Sequence, residues 1–110
     1  MEQESRSEVI LREVVSRIRR TVRPDRIVLF GSRATGRARR DSDYDILVVR
    51  ESRVPRYRRS RAIYAALADV PAEVEVVVYT PREIREWRDV PKAFVTAALR
   101  EGKVLYEKKG

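Results

Sequence analysis

Between residues 29 and 49 the chain reads LFGSRATGRARRDSDYDILVV, and the order of features in this stretch restricts the fold more than any other. A short apolar run stops at Gly31-Ser32, an arginine-rich segment follows, and Asp43 and Asp45 stand at alternate positions where the next apolar run begins. A β-strand has a side-chain period of two. Asp43 and Asp45 are therefore expected two residues apart on the second strand, on one face and roughly 6.6–6.8 Å apart.

The rest of the chain places this pattern in an α/β fold. Ile10, Val14, Ile18 and Val22 recur at helical spacing, with Leu11 and Val15 beside them, so a helix is expected over residues 7–21, ended by Pro24. The runs RIVLF (26–30), YDILVV (44–49) and VEVVVY (74–79) read as strands. Pro55 opens an expected helix through residue 68, with Ile63, Tyr64 and Leu67 on one side. Thr80-Pro81-Arg82-Glu83 has the form of a capping box with proline at the first helical position, so another helix starts there. A last helix, residues 91–101, ends at Gly102, and KVLYE (103–107) adds an edge strand. Alternating strands and helices imply helices flanking a small mixed sheet, in one domain spanning residues 1–110.

Composition narrows the chemistry. The chain has no cysteine and no histidine, which excludes disulfides, thiolate nucleophiles, histidine acid/base catalysis and the usual zinc sites. Any metal must sit on carboxylates. Residues 1–61 hold 17 of the 25 basic and 9 of the 17 acidic residues, so the whole excess of +8 lies there and that part should attract anions. Most of the cations are arginines, whose planar fork suits phosphate. Ion-pair networks are the competing use of such a surface. The run RYRRSR (56–61) reads as a solvated helix face, and with no aromatic ladder beside it nucleic acid is not an expected partner. The N-terminal stretch is charged from its start and offers no membrane span, so a cytoplasmic location is expected.

These residues suggest a phosphate site. Gly31 leaves the first strand without a side chain, and Ser32 sits where a short helix begins, so its hydroxyl and free backbone N–H groups can point at an anion. Side chains converging from Asp43 and Asp45 can hold two hard cations about 3.5–4 Å apart, the spacing used for in-line attack on phosphorus. Mg²⁺ fits, because it takes oxygen ligands from a few carboxylates and from substrate phosphates. A third carboxylate is wanted on a neighbouring strand. Glu75 is the candidate, with Glu73 on the same face as its reserve. Tyr44, between the aspartates, should face the other way and pack inside; Trp87 and Phe94 are expected in the core, with one of them a candidate subunit contact.

Taken together, Gly31, Ser32, Ala34, Gly36, Ser42, Asp43 and Asp45 give the order Gly-Ser, Ala, Gly, then Ser-Asp-x-Asp before an apolar strand. This resembles the nucleotidyltransferase fold of the DNA polymerase beta superfamily, and its small members, the minimal nucleotidyltransferases, most of all. The resemblance implies that Gly31, Ser32 and Arg33 contact a nucleoside triphosphate, ATP as substrate. It implies that Asp43, Asp45 and Glu75 are catalytic and hold two Mg²⁺ ions. The family's third carboxylate is usually an aspartate, so Glu75 is a departure. The resemblance also implies a partner: many such proteins work beside a small helical HEPN-type ribonuclease toxin, and some transfer AMP to its tyrosine as antitoxins. A homo- or hetero-oligomer is then expected. The alternative is a catalytically weak binding module that neutralises a partner by covering it.

Overall fold

The structure, a computed structural model, describes residues 5–87, 90 and 94–109. Helix α1 (Arg6–Val22) is started by Ser5, whose hydroxyl accepts from the Glu8 N–H, and is closed by Arg23 in the left-handed region at φ 50°. Strands β1 (Arg26–Phe30), β2 (Tyr44–Val49) and β3 (Val74–Tyr79) span the three expected apolar runs. Helix α2 (Ser32–Thr35) is a single turn, ended by Gly36 at φ 77°. Helices α3 (Arg61–Ala66), α4 (Pro81–Trp87) and α5 (Phe94–Glu101) and strand β4 (Lys103–Glu107) complete the order. No described helix is long and apolar enough to cross a membrane.

The sheet has the order β3-β2-β1-β4. β1 pairs antiparallel with both β2 and β4, while β2 and β3 run parallel, which makes the sheet mixed as expected. KVLYE forms its edge on the β4 side. The pleat then sorts side chains by parity. Ile27, Leu29, Tyr44, Ile46, Val48, Val76 and Val78 face one cluster, closed by Ile10, Val14, Ile18 and Val22 of α1 and by Ile63 of α3. Val28, Leu47 and Val49 face the other, where Val95 and Ala98 of α5 cover them. Tyr44 is buried, as its position between two outward aspartates requires.

Several expectations are corrected. The helix expected from Pro55 to residue 68 is divided into a 3₁₀ turn, Arg56–Arg58, and α3. The turn buries no side chain, whereas Ile63 and, just beyond the helix, Leu67 reach the core. Only the second piece has an apolar face to seat it, so the two are not held as one helix. Arg56, Arg58 and Arg61 of the arginine run are exposed as expected, and Arg59 is the exception. The side chain of Arg59 is only 9% exposed; it donates to Val54 O, Val78 O and both oxygens of Glu83.

Trp87 and Phe94 are not core residues: they are 44% and 45% exposed. Helix α4 buries none of its residues, so Trp87 lies on a rim, and α5 seats itself through Val95 and Ala98 instead. The expected start of the last helix, residues 91–93, lies outside the described residues. Asp43 stands one residue before β2 rather than on it, although the extended pairing begins beside it, where Tyr44 N–H donates to Glu73 O at 2.9 Å.

Helix α4 has the capping box read from the sequence. Glu83 N–H donates to Thr80 Oγ1 at 3.1 Å and Thr80 N–H donates to Glu83 Oε1 at 2.8 Å. Burial pushes the Glu83 carboxyl up, but the hydrogen bonds from Arg59 and Thr80 and the Arg59 charge outweigh it and hold the group at about 2.

Candidate active site

Three carboxylates lie at one corner of the sheet, on the face that carries α5. The β1–β2 register sets Phe30 opposite Asp45, and the β2–β3 register sets Asp45 beside Glu75. Asp43 is two residues before Asp45, so the pleat points it the same way. Sequence reasoning named these three residues; the strand register brings Asp45 and Glu75 side by side.

Asp45 occupies the centre. It is partly buried, and among the described residues no cation or hydrogen-bond donor meets its carboxylate. Burial raises its pKa above the ordinary aspartate value, and the charges of Glu75 and then Asp43 raise it further. A carboxylate that is desolvated, next to two others and without a counter-charge is costly to keep ionised; a bound cation removes that cost. Glu75 and Asp43 are exposed and therefore free to adjust. Among the described residues no three acidic side chains are already drawn tightly around one ion's position.

Gly31 is required by this arrangement for two independent reasons. Its backbone lies at φ 73°, ψ −157°, which side chains rarely adopt. A Cβ at Gly31 would also overlap Asp45 Oδ2, so any other residue would displace the central carboxylate. The glycine thus lets the Gly31-Ser32 turn pass directly over Asp45. Ser32 begins α2, whose first N–H groups have no acceptor inside the helix. Gly31 O closes the turn by accepting from Ala34 N–H at 3.0 Å and Thr35 N–H at 3.2 Å.

Arg33 is where the sequence reading needs a physical addition. Its guanidinium donates from Nε and Nη2 to Ser42 O at 3.0 and 2.7 Å, and from Nη2 to Arg40 O at 3.2 Å. It also lies 3.9 Å from the centre of the Tyr44 ring. Arg33 therefore ties α2 to the loop that delivers Asp43, and most of its donors are engaged in holding that loop. Nothing in the spacing Gly-Ser-Arg signals this contact. The acceptors are backbone carbonyls that only the folded loop presents.

Sequence reasoning also missed an aromatic group on the same face. Phe94 meets Phe30 edge-on, with ring centroids 5.1 Å apart at 81°, and Tyr79 at 6.3 Å. Tyr79 in turn carries the Arg56 guanidinium 4.4 Å from its ring centre. The alternation of Glu75, Val77 and Tyr79 along β3 was the available signal, since it puts an apolar strip in line with the third carboxylate.

Comparison with known proteins agrees with this fold and motif. Residues 12–110 match the family model described as polymerase beta, nucleotidyltransferase. A chain from the crystal structure of a toxin–antitoxin with AMP-PNP superposes with a TM-score of 0.63 at 20% identity, over 90% of this chain and 74% of that one. A chain from the tri-AMPylated Shewanella oneidensis HEPN toxin in complex with MNT antitoxin gives 0.61 at 17%, over 92% and 72%. The toxin–antitoxin MntA–HepT gives 0.59 at 17%, over 92% and 73%. No curated protein matches by sequence.

Proposed function

The chain belongs to the polymerase beta nucleotidyltransferase family, and from that premise we propose that it transfers AMP from ATP, with Mg²⁺, to a hydroxyl of a partner protein. The observation that carries the reading is Asp45: a partly buried carboxylate beneath Gly31, beside Glu75, with no counter-charge among the described residues. An all-oxygen set of three carboxylates suits Mg²⁺, and Asp43, Asp45 and Glu75 would hold it. Bound there, two Mg²⁺ ions would polarise the α-phosphoryl group and neutralise charge on the attacking and leaving oxygens.

The chain's own residues supply position. Gly31 leaves room for the triphosphate to approach, and Ser32 offers a hydroxyl and a backbone N–H to its distal oxygens. Arg33 holds the 37–43 loop so that Asp43 stays on the face of Asp45. The acceptor oxygen bonds to the α-phosphorus as the bond to the β-phosphate oxygen breaks, pyrophosphate leaves, and Glu75 takes the acceptor's proton. The structural neighbours that carry an AMPylated HEPN toxin or AMP-PNP support assigning a HEPN-type toxin as acceptor and an antitoxin role to this chain.

Labelled ATP incubated with the chain and its partner tests the assignment. Asp43→Asn and Asp45→Asn should each lower transfer by at least about a thousandfold with the fold intact, since the carboxamide keeps the shape and loses the charge. Glu75→Gln should remove most transfer and Glu75→Asp retain it. Undiminished transfer in both aspartate variants would overturn the metal assignment. A second reading, a binding module that neutralises its partner by covering it, is favoured by the exposed, longer arm of Glu75; absence of any Mg²⁺-dependent transfer by the parent would replace the first reading with the second.

A further inference from the structure

At the outer edge of β3 lies an open groove of about 660 Å³ whose lining includes Tyr57, Val76, Val77, Val78, Tyr79 and Phe94. Its position follows from the pleat. Val77 is two residues beyond Glu75 and Tyr79 two beyond that, so the strip runs away from the third carboxylate in steps of roughly 6.6–6.8 Å on the same face. On the other flank Phe30 links the groove to the site. It is the register partner of Asp45, it precedes Gly31, and its ring meets Phe94.

Resting on the nucleotidyltransferase reading, we propose that this groove takes the base of the nucleoside triphosphate, with Phe94 as its stacking platform. The base lies one ribose beyond the α-phosphorus, and Phe94 reaches toward the carboxylate corner through its ring contact with Phe30, the register partner of Asp45. Among the described residues a phosphate would find little charge there. Among the described residues the one guanidinium on the lining, that of Arg56, already sits over the Tyr79 ring and donates to Glu83 Oε2 at 3.4 Å. A base finds the ring of Phe94, a residue 45% exposed, whose orientation is held by Phe30 and Tyr79. Stacking on such a ring accepts any base, so the groove contributes affinity more than base selection. The volume is within the range of small-molecule sites.

The test compares two ligands that share the triphosphate and differ in the nucleoside. Affinities are measured with Mg²⁺ present: AMP-PNP by calorimetry, and inorganic tripolyphosphate by its competition against AMP-PNP. Phe94→Ala should weaken AMP-PNP about tenfold and leave the tripolyphosphate constant unchanged. Phe94→Tyr, which keeps the ring, should bind AMP-PNP as the parent does, and thermal unfolding checks that both variants fold. Equal weakening of both ligands would overturn the proposal, because Phe94 would then support the site as a whole. Unchanged AMP-PNP affinity would also overturn it, and a loss confined to partner-protein binding would make the groove a protein dock. A parent that binds AMP-PNP with this split but transfers nothing keeps the groove and removes the proposed activity. A parent that binds neither ligand removes both.

Discussion

The two faces of the sheet share the same strands yet end in different states. On one, α1 and α3 close completely over Ile27, Ile46, Val48 and Val78, which are 1% exposed or less. On the other, α5 reaches only part of the surface through Val95 and Ala98. What it leaves uncovered is the corner with Asp43, Asp45 and Glu75 and the aromatic strip beside it. Burial of hydrocarbon supplies stability on the first face. The second keeps a charged, unpartnered corner that binding can use. The closed face should therefore tolerate no loss of volume, while the open face should tolerate, and in one case gain from, loss of charge.

The largest stability effect is expected on the closed face. Ile46→Ala removes a fully buried side chain and should cost about 3 kcal/mol in urea unfolding, with AMP-PNP affinity near that of the parent wherever the variant is folded. A cost below about 1 kcal/mol would mean that the face collapses around the cavity and is less rigid than its burial suggests.

Glu83 ties the edge of the sheet to α4 and should come next. Glu83→Gln leaves Arg59 without its ion pair and should lower stability by about 2 kcal/mol at neutral pH. Because the folded pKa lies below the unfolded one, the parent's advantage is present above about 4.5 and is lost as pH falls toward about 2. Unfolding curves across that window should converge. A difference that persists unchanged to pH 2 would assign the effect to shape and not to charge.

The smallest effect has the opposite sign and lies on the open face. The Asp45 carboxyl is raised in the folded chain, so its contribution favours folding in acid and disfavours it as pH rises through the folded pKa. With metal chelated, Asp45→Asn should therefore melt at or above the parent's temperature at neutral pH, with the gain shrinking in acid. Adding Mg²⁺ should stabilise the parent and leave the variant unmoved. A variant less stable than the parent at neutral pH would place Asp45 among the residues that hold the fold.

Much of this was legible in residue order. The three runs read as strands are β1, β2 and β3 residue for residue, and Thr80 to Glu83 form the capping box their types predict. These features depend on neighbours within a few positions, so local rules suffice. The alternation of Asp43, Tyr44 and Asp45 likewise decided which side chain goes inward and which two go out. Gly31 could be read as a turn residue, but its closeness to Asp45 could not, since the two are joined only through strand pairing.

What tertiary structure alone decided is which helices cover which face, and how far. Residue type alone makes Phe94 and Trp87 core candidates; their exposure follows from where α4 and α5 lie against the sheet. Pattern likewise makes Arg59 one arginine in a solvated run, and the family resemblance makes Arg33 a contact for the triphosphate. The fold brings Glu83 to the first and the carbonyls of the 37–43 loop to the second, across 24 and up to 9 residues of chain. A hydrophobic period records that a side has to be covered. It carries no record of the partner that covers it, because burial and ion pairing are satisfied by whatever the packed chain brings near.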